Sequence, residues 1–226
     1  MVLRAMKLIV GLGNPGPQYL STRHNAGYRI VDALGTISGA HYSSKRDLRC
    51  DLAKVQLSGQ EVLLAKPTTY MNLSGESVVA ILHWYKLPRK DMLVIHDDVS
   101  LPLGRIRLQK NGGAGGQHGV ESIIECFGGA KDFDRLKFGV GPDPGGSDRA
   151  NFVLSRIPES DRELLDRSAS LAVDAVITWI REGIQHAMNQ FNGVRLDLPP
   201  EETQEEQAAS PGAMPNSVHR SSVEES

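Results

Sequence analysis

At 226 residues and 40% hydrophobic content the chain is long enough to bury one sizeable core, and two cysteines cannot make it a disulfide scaffold. Its net charge of -2 hides an asymmetry. From Asp197 onward seven acids face Arg220 alone, so that stretch carries -6 and the rest +4, a mildly basic body able to meet an anionic partner. No apolar run approaches transmembrane length and no secretory segment precedes the first strand. A cytoplasmic protein with reduced thiols is expected, starting at Met1 or Met6.

Lys7 to Val10 is an apolar run that stops at Gly11, the pattern of a buried strand. The loop after it offers Asn14, Tyr19, His24 and Asn25. Gly11, Gly13 and Gly16 match G-x-G-x-x-G, but a dinucleotide site needs a helix opening on the glycines with its N–H groups free. Pro15 and Pro17 remove two such donors, and the acid expected about 20 residues further on has no clear candidate, since Asp32 comes too early. A rigid turn presenting Asn14 and His24 is the better reading, with a nucleotide-binding enzyme kept as a rival.

Gly27 to Ile37 carries Ile30, Val31 and Leu34 at helical spacing, and residues 41–50 read as irregular. Two strands, 51–57 and 61–65, flank the turn 58–60; the second ends at Pro67, and a polar loop Thr68 to Asn72 follows. A helix starts near Ser74, with Asn72 or Ser74 as its cap. Asp91 to His96 is a strand running into polar Asp97-Asp98. Gly104 to Leu108 alternates with Arg105 and Arg107 on one face, and 111–116 is a flexible glycine loop. A short helix 118–127, a strand 136–140, a loop 141–146 and one long helix or a helix pair over 160–191 complete the pattern. These elements predict a single α/β domain over residues 1–196, a central mixed twisted sheet with helices on both faces. The Pro-, Glu- and Ser-rich tail 197–226 is too poor in apolar residues to fold.

Three loops at strand ends, Asn14 to His24, Thr68 to Asn72 and His96 to Asp98, should converge on one side of such a sheet. Convergence joins two amides, an imidazole and a carboxylate. A carboxylate holding one imidazole nitrogen leaves the other free to take a proton, and amides can hold a water or a developing oxyanion. The histidines lack metal-ligand spacing and there is no G-x-S-x-G elbow, so water is the expected nucleophile and no cofactor is required. Each residue also has a plainer use: His24 as a bonded loop residue, Asp97 and Asp98 as turn formers, Asn72 as a cap, and Arg105, Arg107 and Lys110 as a solvated strand face.

Four segments extend this reading. GLGNPGPQY with TRHNAG, KPTTYMNLSG, VIHDDVSLPLGRIRL and GGAGGQHG resemble, in order, the motifs of the bacterial-type peptidyl-tRNA hydrolase family. The resemblance covers residues 7–120, continues in pattern to about residue 195, and implies hydrolysis of the ester between a peptide and the 3′ ribose of tRNA. It implies His24 as the catalytic base, Asp97 as the carboxylate behind it, and Asn14 as the residue that tells a blocked peptidyl group from a free aminoacyl one. Tyr19, Tyr70, Met71 and Asn72 correspond to contacts with the terminal nucleotide or the peptide, and Arg107 and Lys137 to phosphate contacts. Where the family usually reads G-G-H-N-G this chain has Gly115-Gly116-Gln117-His118-Gly119, so His118 stands in for a substrate-binding Asn. The implied partner is peptidyl-tRNA, with the protein acting as a monomer off the membrane. The rival from another class is a non-catalytic RNA-binding protein on the same scaffold, like the family's splicing-cofactor relatives.

Overall fold

The computed structural model describes residues 6–142, 145–146 and 148–197. The expected acidic tail, apart from Asp197, lies outside the described residues. Seven strands form one sheet: β1 (Lys7–Gly11), β2 (Ser43–Lys45), β3 (Cys50–Leu57), β4 (Gln60–Pro67), β5 (Met92–Pro102), β6 (Ile106–Lys110) and β7 (Asp134–Gly141). Their order is β2-β3-β4-β1-β5-β7-β6. The central four, β4, β1, β5 and β7, are parallel to their neighbours within that set, and β2, β3 and β6 add antiparallel edges.

Because successive residues of a strand face opposite sides, the apolar run of β1 feeds two cores. Ile9 packs with α1 (Ala26–Ser38), α5 (Arg162–Glu182) and α6 (Ile184–Phe191), while Leu8 and Val10 pack with α2 (Ser74–Trp84) and α3 (His118–Cys126). Each fully buried Leu, Ile or Val adds about 1.5–3 kcal/mol of hydrophobic stabilisation, so the two layers hold the sheet from both sides. The 160–191 pattern resolves into a helix pair broken at Gly183, whose φ of 85° suits glycine.

Three expectations are corrected, and one element is added. The Asp97-Asp98 stretch is strand, because β5 keeps pairing with β7 through Asp98↔Gly139 and, after a register shift, Pro102↔Gly141. Neither Asn72 nor Ser74 caps α2; a 3-10 turn, Met71–Leu73, leads into it, and the Gly75 N–H is satisfied by Ser122 Oγ of α3 at 3.0 Å. β2 lies within the stretch read as irregular, and its three residues are all exposed, so no apolar period announced it. A short helix α4 (Asp148–Val153) follows the 141–146 loop, likewise without a buried residue.

The connections place the site. From β1 the chain crosses on the α1 face to β3 and β4, then from β4 on the α2 face to β5, on the other side of β1. The crossover direction reverses at β1, and the carboxyl ends of β4, β1 and β5 open a crevice there.

Candidate active site

The loop leaving β1 is locked by a reciprocal pair. Asn25 Oδ1 accepts the Asn14 backbone N–H at 2.9 Å, and Asn25 Nδ2 donates to the Asn14 carbonyl at 3.0 Å. Asn25 closes the 3-10 turn Arg23–Asn25, which delivers His24 over the end of β5, and α1 begins at once behind it. The approach is backbone to backbone: a Cβ on Gly27 would overlap the Ile95 carbonyl oxygen and the Leu12 amide nitrogen. Gly11 and Gly13 therefore serve close packing of α1 on the sheet, Gly16 serves a turn at φ 112°, and no α-helix opens on Gly11-x-Gly13-x-x-Gly16. That removes the mechanism of the nucleotide rival.

His24 Nδ1 lies 3.0 Å from Asp97 Oδ1 and 2.9 Å from Oδ2, with both residues buried. A carboxylate only accepts, so Nδ1 carries the proton and the Nε2 lone pair of the neutral ring is left to act as a base. Asp97 Oδ1 also accepts from Gln117 Nε2 at 3.2 Å. The neighbouring ring, His96, is fully enclosed; its Nδ1 donates to the Asp97 carbonyl at 2.7 Å and its Nε2 has no partner. Burial holds His96 below its ordinary 6.5, the Asp97 carbonyl bond offsetting only part, so it stays neutral.

Asn14 Oδ1 accepts the Met71 N–H at 2.8 Å, which fixes the amide and leaves Nδ2 for the cavity that Asn14 lines. That cavity, about 930 Å³, brings His24, Asp97, Asn14, Tyr70, Met71, Asn72 and His118 together. Tyr70 and His118 are largely exposed, and His118 Nδ1 sits 3.3 Å from Glu121 Oε2 one helical turn on. Val99, Ala114, Val153 and Leu154 give the cavity an apolar wall.

Three of the expected residues lie elsewhere. Tyr19 is half-buried on the turn Pro17–Tyr19, outside the cavity lining. Arg107 is exposed on β6, directly across from Lys137 on β7. Lys137 Nζ pairs with Asp98 Oδ2 at 2.8 Å at the cavity rim. Burial alone would raise the Asp98 carboxyl, but Lys137 and the two Ser100 donors outweigh it and hold Asp98 below the ordinary range.

Sequence reasoning missed four contributors. Gln117 is one, and its signal lay in the motif: the chain departs from G-G-H-N-G at 117 as well as at 118. Asn25 is another, carried within TRHNAG without a role. The third is Arg135, whose buried guanidinium donates to the carbonyls of Gly113 (2.6 Å) and Gly112, so the glycine loop expected to be flexible is tied down. Last is α4, attached to the turn bearing His24 through Arg23, which donates to Ser155 Oγ and the Arg156 carbonyl, both at 2.6 Å, and stacks on Phe152. Among the described residues no group of three or more His, Cys, Asp or Glu could hold a metal ion.

Comparison with known proteins bears on what this arrangement does. The family model for peptidyl-tRNA hydrolase matches residues 8–199. A peptidyl-tRNA hydrolase of Elusimicrobium minutum is 48% identical over 83% of this chain and 99% of its own length. One from Desulforamulus reducens is 46% identical over 83% of this chain and 89% of its own. Among solved structures, the crystal structure of peptidyl-tRNA hydrolase from Acinetobacter baumannii superposes with a TM-score of 0.80 at 33% identity, covering 84% of this chain and 96% of that one.

Proposed function

The chain belongs to the peptidyl-tRNA hydrolase family, and we propose that it works with His24 as base, Asp97 as the carboxylate that orients it, and Asn14 as the amide at the reacting group. It is an ester hydrolase acting on peptidyl-tRNA, and the non-catalytic RNA-binding reading is not favoured. Released tRNA and peptide would then be free for reuse.

The observation that carries the proposal is the His24–Asp97 contact beside the cavity. His24 Nε2 takes a proton from a water, and the water oxygen forms a bond to the ester carbonyl carbon. Negative charge gathers on the former carbonyl oxygen, where Asn14 Nδ2, with Asn72 at the same cavity, can donate to it; one such donor is often worth about 3 kcal/mol. The C–O bond to the ribose then breaks, the proton on Nε2 passes to the departing oxygen, and peptide acid and tRNA leave. An ester releases an alkoxide more readily than an amide releases an amine, so a dyad and amides suffice without a covalent intermediate.

Tyr70, Met71, Asn72 and His118 line the cavity and would receive the tRNA end and the peptide, and the apolar wall suits peptide side chains. Tyr19 would contact the substrate only beyond the cavity. Arg107 and Lys137, facing each other across β6 and β7, would meet backbone phosphate. We further propose a monomer working in the cytoplasm; among the described residues no helix is long and apolar enough to cross a membrane. The test is cleavage of N-acetyl-aminoacyl-tRNA beside unblocked aminoacyl-tRNA by wild type and His24→Ala, with tRNA binding as control. Rapid cleavage of the blocked substrate alone, lost in the variant while binding persists, supports the reading. Undiminished cleavage by His24→Ala would remove His24 from the mechanism.

A further inference from the structure

The His24–Asp97 contact leaves one freedom open. Nδ1 is almost equidistant from the two carboxylate oxygens, so that contact alone does not choose which oxygen the ring binds or fix the carboxylate plane. Gln117 supplies the choice. Its Oε1 accepts the Val120 N–H at 2.8 Å as the cap of α3, and an amide NH₂ could not take that place. The carboxamide orientation is thereby settled, and Nε2 is turned toward Asp97 Oδ1 at 3.2 Å and Met71 Sδ at 3.3 Å.

We propose that Gln117 is a positioning residue of the hydrolytic site, holding the Asp97 carboxylate to the first turn of α3 so that His24 keeps one orientation. The inference rests on the catalytic roles given above to His24 and Asp97. Gln117 is 6% exposed, so its bonds compete little with water. The room around it is tight as well: a Cβ on Gly119 would overlap Met71 Sδ and crowd Leu12 and Gln117 Oε1. A carboxamide donates at every working pH, so the support given to Asp97 does not titrate away. The titratable and charged groups around it are Asp97 and His96 on β5, His24 ahead of α1, His118 paired with Glu121 on α3, Tyr70 on the same cavity, and Arg149 of α4, which reaches toward Gly116. Asp98 and Lys137 are paired with each other.

The deciding variant is Gln117→Glu, which keeps an acceptor for Val120 and nearly the same volume but replaces the donor with a carboxylate facing Asp97. Steady-state hydrolysis of N-acetyl-aminoacyl-tRNA is followed from pH 5.5 to 8.5, with thermal midpoints in parallel. The expected result is an unchanged midpoint, kcat lower by roughly ten- to a hundredfold at pH 7.5 with KM little altered, and a smaller deficit as pH falls and the new acid becomes a donor. Should the Glu variant fail to fold, Gln117→Met removes both groups without charge and should show the kcat deficit at all pH values. In a His24→Ala background Gln117→Glu should lower the residual rate by less than twofold. A folded Gln117→Glu or Gln117→Met enzyme with wild-type kcat and pH profile overturns the proposal and leaves Gln117 a helix cap. If His24→Ala itself keeps full kcat, the catalytic reading falls first, and positioning through His24 with it.

Discussion

Asn14 and Met71, 57 residues apart, share one hydrogen bond: the Asn14 side-chain oxygen accepts the Met71 backbone N–H at 2.8 Å. Two loops from neighbouring strands are thus held in register by the same amide whose nitrogen is assigned to the reaction. The structural and chemical halves of that amide can be separated. Asn14→Asp keeps the oxygen for Met71 and loses the NH₂ donor, so hydrolysis of a blocked aminoacyl-tRNA should fall by about 10²–10³ in kcat with little loss of stability. Asn14→Ala removes both halves and should in addition lower unfolding stability by about 1–3 kcal/mol, read from urea titration.

His96 sets a pH dependence of stability. Its proton affinity is lowered in the folded state by burial, so the unfolded chain takes up a proton that the native chain refuses. The contribution is complete above the ordinary value of 6.5 and is lost as pH falls below it toward the folded value. While that window lasts the slope is at most about 1.4 kcal/mol per pH unit. Urea midpoints at pH 7.5 and 5.5 check this: His96→Gln should be weaker at pH 7.5 yet lose less than wild type on acidification.

Arg135 should matter through the glycine loop. Arg135→Met keeps much of the buried stem but takes the guanidinium from over the Phe133 ring and strands the Gly112 and Gly113 carbonyls. Amide hydrogen exchange over residues 111–117 should speed up, and stability should drop by about 2–4 kcal/mol. Because that loop ends at Gln117, kcat should fall as well.

Phosphate contacts predict a salt signature. If Arg107 meets one phosphate, Arg107→Ala weakens tRNA binding and lowers the slope of log K against log salt by about 0.7–0.9. The loss should be equal for tRNAs of different sequence, since backbone charge carries no base information. Filter binding from 50 to 200 mM salt measures both.

Much of this architecture could be read in advance because apolar periodicity maps onto buried faces. Leu8–Val10, Val62–Ala65 and Ile30–Leu34 all follow that rule. The misses share one cause: their order comes from partners far along the chain. β5 continues through Asp97 and Asp98 because β7 pairs with it, and α2 needs no side-chain cap because Ser122 of α3 answers Gly75. β2 and α4 bury nothing and so carry no period. In the site, His24 and Asp97 could be anticipated from loops at strand ends and from the family motifs. The Gln117 bond could not: the departure from G-G-H-N-G marks position 117, but local sequence does not name Asp97 as its partner.

The contact of α1 with the sheet has a consequence for anyone re-engineering this enzyme. Exchanging a helical glycine for alanine is a common route to greater heat resistance, since it restricts the unfolded chain. In the first turn of α1 that recipe reverses: at Gly27 the added methyl would displace the Ile95 carbonyl or lift the helix, and the turn bearing His24 would move with it. A library screened for durability would therefore discard Gly27→Ala, and its turnover should fall as well, because the spacing between backbones there sets where the proposed base stands.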